Sequence, residues 1–226
     1  MIYVVLVEPK TSGNIGAIAR SMANFNLKNL ILVNPKCEHL NPEAIRRAKH
    51  AKGILENSKI VKYSYLKKFD YIIGTTSKLG KDYNIPRSPL LPDEFARKIT
   101  LKNKTALLFG REDAGLTNKE ILDCDFIVNI PSSEYSALNI SHAATIIFYE
   151  LFKEQGKKEL NQKFSHITKT EKEIILKLIN LKLKKMSFET PQKRETQKRL
   201  WKRIIGKAML TKREAFALLG FLKKIK

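Results

Sequence analysis

An α/β fold, with a mostly parallel sheet covered by helices and a small all-α basic domain at the C-terminal end, is predicted by three observations. Short β-branched or apolar runs alternate with amphipathic segments over the first part of the chain. Beyond about residue 155 the alternation stops, and every periodic segment has helical spacing. Charge divides at the same place: residues 1–155 carry 22 Lys and Arg against 16 Asp and Glu, a net of +6, whereas 156–226 carry 21 against 6, a net of +15. The run 154–163, where apolar periodicity lapses, marks the boundary. The expected organisation is a domain over 1–155, a linker over 156–167 and a basic helical extension over 168–226.

The predicted strands are Ile2 to Val7, Asn29 to Val33, Tyr71 to Gly74, Thr105 to Phe109 and Phe126 to Ile130, each the length of a buried strand. Helical patterns lie between them at Ile15 to Asn24, Pro42 to Leu55, Pro92 to Lys98, Asn118 to Leu122 and Leu138 to Lys153. Strands alternating with helices argue for a parallel sheet with helices on both faces. Ligands in such sheets bind beyond the carboxyl ends of the strands, so the loops that follow strands are where a site belongs.

Three helices are predicted in the extension. The first spans Thr168 to Lys185, with Ile174, Ile175, Leu178, Ile179, Leu181 and Leu183 as its apolar positions. A second starts near Pro191 and passes through Trp201, Ile204 and Ile205 to about Lys207. A third follows Thr211, whose hydroxyl with Glu214 makes a capping box, and has Ala215, Phe216, Leu218, Leu219 and Leu222 as its stripe. One shared small core would leave the Lys and Arg on the outer faces.

Composition excludes several classes of function. No apolar run approaches the ~18 residues of a membrane span, and the N-terminus reads as a strand rather than a signal peptide. Two cysteines, Cys37 and Cys124, are too few for a disulfide framework and point to a reducing, cytoplasmic setting. The four histidines have no metal-type spacing with either cysteine, so no metal is expected. There is no P-loop, no GxGxxG fingerprint and no GxSxG elbow. A net charge of +21 favours a polyanionic partner, with nucleic acid the leading class.

Three loops remain. The first follows the first strand and holds Asn14, a candidate helix cap, Gly16, which permits close approach, and Arg20 one turn beyond Gly16. A helix N-terminus and a guanidinium together suit a phosphate. In the second, a buried strand runs into Phe109-Gly110-Arg111-Glu112, with Gly115 and Leu116 before the next helix. In the third, a strand ends at Ile130-Pro131, and a polar loop leads through Ser136, Ala137 and Leu138 to Asn139 at the head of a long apolar helix.

In order and content these loops resemble the three motifs of the SpoU branch of the SPOUT RNA methyltransferases. NxGxxxR matches Asn14, Gly16 and Arg20; FGxExxGL matches Phe109, Gly110, Glu112, Gly115 and Leu116; IP…LNxSxA matches Ile130, Pro131, Leu138, Asn139, Ser141 and Ala143. The likeness covers about residues 1–152, and the EYSALN wording with the basic tail resembles a subfamily that methylates the tRNA anticodon loop. The resemblance implies 2′-O-methylation of a ribose in tRNA with S-adenosylmethionine, a trefoil knot late in the catalytic domain, and a homodimer. It implies that Thr75, Thr76, Ser77, Gly110, Ile130, Ser136, Ala137 and Leu138 bind the cofactor. Arg20 would serve the 2′-OH, braced by Asn14 and Glu112, one of them from the partner subunit, while Gly16 and Asn139 order the knotted region. Many relatives have serine where this chain has Ala137; either Ser136 substitutes or the hydroxyl is dispensable. The alternatives are a SpoU-type enzyme acting on ribosomal RNA and a non-catalytic RNA-binding relative.

Overall fold

The computed structural model describes residues 1–77, 89–99, 102–133, 138–158 and 165–225. Within them, β1 (Ile2–Val7), β2 (Asn29–Val33), β3 (Lys59–Val61), β4 (Tyr71–Thr75), β5 (Thr105–Phe109) and β6 (Phe126–Val128) form one sheet in the order β3-β2-β1-β5-β4-β6. Every pairing is parallel. Successive side chains along β1 serve opposite faces, as the two-residue period of a strand requires. Val4 and Leu6 enter a core shared with Ile15 and Ile18 of α1 (Ser12–Asn24), Phe95 of α4 (Pro92–Lys98) and Phe148 of α6 (Ile140–Lys158). Val5 and Val7 enter a second core with Leu66, Phe69 and Ile121 of α5 (Asn118–Asp123).

The order reverses between β1 and β5: from β1 the chain adds strands to one side, and β5 occupies the other. The crevice at the carboxyl ends of these two strands is where such a sheet takes a ligand. The loops after β1 and β5 open there.

Strand β3 was not expected from the sequence. It is three residues long on the sheet edge, with Lys59 and Ile60 exposed, so it lacks the buried apolar run that marks the other strands. The single helix expected from Pro42 to Leu55 is broken into α2 (Pro42–Ala48), a 3-10 turn and α3 (Lys52–Glu56). Lys49, at a left-handed φ of 53°, interrupts it, a conformation no continuous α-helix passes through.

The extension forms α7 (Lys169–Lys185), α8 (Pro191–Ala208) and α9 (Lys212–Lys224). Ile175, Ile179, Leu183, Ile205, Ala215 and Leu222 make its apolar cluster. Ile174, Leu181, Ile204 and Phe216, which the helical pattern assigned to that core, are exposed instead. Lys172, expected outside, is buried: its ammonium pairs with Asp125 at 2.8 Å and lies 4.1 Å from the Tyr71 ring centroid. The segment expected to be a linker is helical as far as Lys158, and at its other end Ile167 is fully buried. The Ile167 carbonyl accepts from Tyr71 Oη and Asn103 Nδ2 at 3.4 and 3.3 Å.

Candidate active site

The loop after β1 turns directly into α1, which begins at Ser12 with Thr11 as its cap residue. Asn14 therefore lies in the first helical turn and is not the cap the sequence suggested; the backbone N–H of Asn14 already reaches Thr11 O at 3.0 Å. Its side chain is freed for another purpose. Asn14 Nδ2 donates to Glu112 Oε1 at 3.2 Å, and Asn14 Oδ1 accepts from Asn139 Nδ2 at 3.3 Å. One hydrogen-bonded chain, Glu112–Asn14–Asn139, thus joins the loops after β1, β5 and β6.

Each end of this chain is itself fixed. Glu112 accepts from the backbone N–H groups of Lys10 and Thr11, both at 3.0 Å. Burial raises its pKa, but these backbone bonds and the Asn14 amide outweigh that effect and hold the carboxyl below its ordinary value. Asn139 caps α6: its Oδ1 accepts from Ser141 N at 2.8 Å and Ser141 Oγ at 2.7 Å.

The turn 111–115 is held from behind by a residue that motif matching passed over. The largely buried Arg111 makes a two-pronged contact with Glu120, at 3.0 and 3.1 Å, and its Nε donates to Glu8 at 3.0 Å. Glu120 in turn completes the capping box of Thr117. That box was readable as Thr117-x-x-Glu120, and a carboxylate fixed by a cap is the available signal for an arginine partner. Gly110 is required at the strand exit, since a Cβ there would lie 2.1 Å from the Gly115 carbonyl carbon.

A cavity of about 370 Å³ opens beside this network. Thr75, Thr76, Ser77, Gly110, Ile130 and Leu138, all named from the sequence, line it together with Glu112, and so do Leu116, Ile140 and Ala143. Ser136 and Ala137 lie outside the described residues. Thr75 Oγ1 donates to Leu108 O, and Asn129 Nδ2 donates to Thr76 O, which fixes the rim after β4.

Two expected residues stand apart from the cavity. Gly16 faces α2, where a Cβ would come within 2.1 Å of Ala44 O; its role is a close helix crossing rather than the ordering of the third loop. Arg20 is exposed on α1 and makes no hydrogen bond or ion pair with any described residue, so within this chain neither Asn14 nor Glu112 braces it.

A parallel sheet with a cavity beyond the carboxyl ends of β4, β5 and β6, and a polar junction beside it, is the frame of a small-molecule-binding α/β protein, and the family is specific. The chain belongs to the SpoU rRNA Methylase family, whose model matches residues 1–149. It is similar to the tRNA (cytidine-2′-O-)-methyltransferase TrmJ of Methanocaldococcus jannaschii, at 38% identity over 228 residues and 99% of each chain. Among solved structures it is similar to a methylase family protein from Haemophilus influenzae, with TM-score 0.70, 29% identity, and 98% and 94% of the two chains covered. The TrmJ structure from Z. mobilis gives TM-score 0.68 at 26% identity, covering 100% of this chain and 99% of that one.

Proposed function

We propose that the protein transfers a methyl group from S-adenosylmethionine to a ribose 2′-OH of tRNA, at the pyrimidine that opens the anticodon loop. The observation that carries this reading is the Glu112–Asn14–Asn139 chain, which ties the three loops together beside the cavity. Full-length likeness to a tRNA 2′-O-methyltransferase supports the choice of tRNA over ribosomal RNA.

The residues present fit the cofactor. A cavity of about 370 Å³ is within the range of roughly 300–1,000 Å³ for small-molecule sites. Leu116, Ile130, Leu138 and Ala143 offer apolar walls for a purine, while Thr75, Thr76 and Ser77 bring hydroxyl and backbone groups to its polar parts. We assign these last three, with Gly110, Ile130, Ser136, Ala137 and Leu138, to the cofactor. When bound, it supplies an electrophilic methyl group on a positively charged sulfur.

The acceptor hydroxyl is a weak nucleophile until it is polarised. A guanidinium is a permanent cation and not a base, so the role of Arg20 is to hold an RNA phosphate and to stabilise charge developing on the ribose oxygen. Arg20 is free of partners among the described residues and so is available to RNA; it acts beside the cavity of a second subunit. Phe25, Ile146, Tyr149 and Phe152 on the outer side of α1 and α6 supply an apolar surface for that homodimer. The third loop belongs to the family's trefoil knot, with Asn139 anchoring its exit into α6. Residues 1–155 act as the catalytic domain and 168–226 as the RNA-binding extension of a cytoplasmic enzyme.

Mapping of 2′-O-methyl marks after incubation with tRNA and ribosomal RNA tests the substrate. A mark on the tRNA pyrimidine is expected, and marks confined to ribosomal RNA would overturn it. Arg20→Ala abolishes methylation while cofactor titration heats stay unchanged. Mixing that chain with one blocked in the cavity restores partial activity if the site is shared between subunits.

A further inference from the structure

The outer face of α9 has no role in the site described above. Arg213, Phe216, Ala217, Gly220, Phe221 and Lys224 fall at positions i, i+3, i+4, i+7, i+8 and i+11 of one helix face and are all exposed. Phe216 and Phe221, 69% and 62% exposed, are the most exposed large apolar side chains among the described residues. The opposite face is well buried through Ala215 and Leu222, so α9 packs without these two rings. Between them lies a bare strip: a Cβ on Gly220 would meet nothing within 4 Å, yet glycine stands where alanine would favour the helix.

We propose that this face is a stacking platform for unpaired RNA nucleotides, with bases lying on Phe216 and Phe221 over the Ala217–Gly220 strip and phosphates meeting Arg213 and Lys224. The proposal rests on the reading of RNA as substrate and adds which surface grips its unpaired bases. Exposed aromatic rings take bases of any identity through their π-faces, and flanking cations track the backbone. Charge selects the occupant. The one carboxylate on α9, Glu214, is engaged in the cap at Thr211, and the surrounding extension carries a net +15. A second copy would bring an equally positive surface against this one.

The test uses the full-length protein, an RNA hairpin with an unpaired loop and a fully paired duplex of equal length. Phe216→Ala/Phe221→Ala should weaken hairpin binding about thirtyfold or more and leave the duplex unaffected. Its salt dependence should stay the same, because stacking releases no counterions. Phe216→Trp/Phe221→Trp should retain hairpin affinity, whereas the corresponding leucine pair, apolar but without rings, should not. Rescue by leucine or an equal loss on duplex overturns the platform. A fall in sedimentation mass, which marks the face as an interface between copies, does so too, as does Phe-dependent binding to anionic vesicles with no preference for the hairpin. If the wild type grips the hairpin through these rings but methylates no tRNA, the enzymatic reading falls and the platform stands. If the alanine pair binds and methylates like the wild type, the reverse holds.

Discussion

Glu112 gathers two backbone N–H groups and one amide on a single carboxylate, and that geometry sets how the loop after β1 responds to acid. Its pKa lies below the ordinary 4.5, so its stabilising contribution is complete above that value and is lost as pH falls through the lower folded-state value. Glu112→Gln keeps the shape but must turn its NH₂ towards one of the donors; it should cost about 1–2 kcal/mol at neutral pH. Melting temperatures from pH 6 down to 3 should therefore converge for variant and wild type, and a gap constant across that range would contradict the assignment. Arg203 shows the opposite balance. Both terminal nitrogens of its buried guanidinium lack a hydrogen-bond partner among the described residues, and burial lowers its pKa to about 10. Arg203→Met exchanges an unsatisfied charge for an apolar side chain of similar reach and should raise stability by about 1 kcal/mol, read as a higher melting temperature.

At the scale of elements, legibility followed burial. Strands β1, β2 and β5 lie inside the sheet, carry unbroken apolar runs and were bounded correctly from sequence; β3, on the edge, carries no such run. The capping box at Thr211 locates α9 in the sequence, and apolar periodicity locates α7, whose own Thr168–Glu171 box the structure adds. Hydrogen bonds between distant loops leave no period in the sequence, so the motif resemblance singles out Asn14, Glu112 and Asn139 but not their joining within one chain, and it does not single out Arg111. Lys172 illustrates the same blindness, because a lysine in a basic helix reads as solvated. Instead it places an ammonium, with its side chain 7% exposed, on a carboxylate 6% exposed, and Asp125 also accepts from Ile72 N. Lys172→Met strands that carboxylate and should cost about 3–5 kcal/mol. Adding Asp125→Asn, which still accepts from Ile72, should recover most of the loss. A double-mutant cycle with no coupling would refute the pairing.

At the scale of the whole chain, the extension is seated on the first 155 residues rather than strung behind them. Helix α8 runs beside the edge strand β6, where Gly206 lets it approach Asp125 to a distance a Cβ would narrow to 2.9 Å. Lys202 donates to the carbonyls of Leu122 and Asp123 at the end of α5, and Met209 joins the main core. Removing everything after residue 158 therefore exposes β6, strands Asp125 and should lower the melting temperature markedly, so truncation cannot isolate a role in RNA binding. Surface charge can. Lys177, Lys184 and Lys185 on α7 are exposed and make no ion pair with any described residue, so their replacement by glutamine leaves the buried contacts untouched. If they meet RNA phosphates, each phosphate left without its lysine should reduce the slope of log affinity against log salt by about 0.7–0.9. The triple variant should then show weaker tRNA binding at low salt, converging on the wild type at high salt, with melting temperature and cofactor affinity unchanged. Filter binding across a salt series measures this; an unaltered slope would mean that these lysines only solvate the helix and that the counterions are released elsewhere on the molecule.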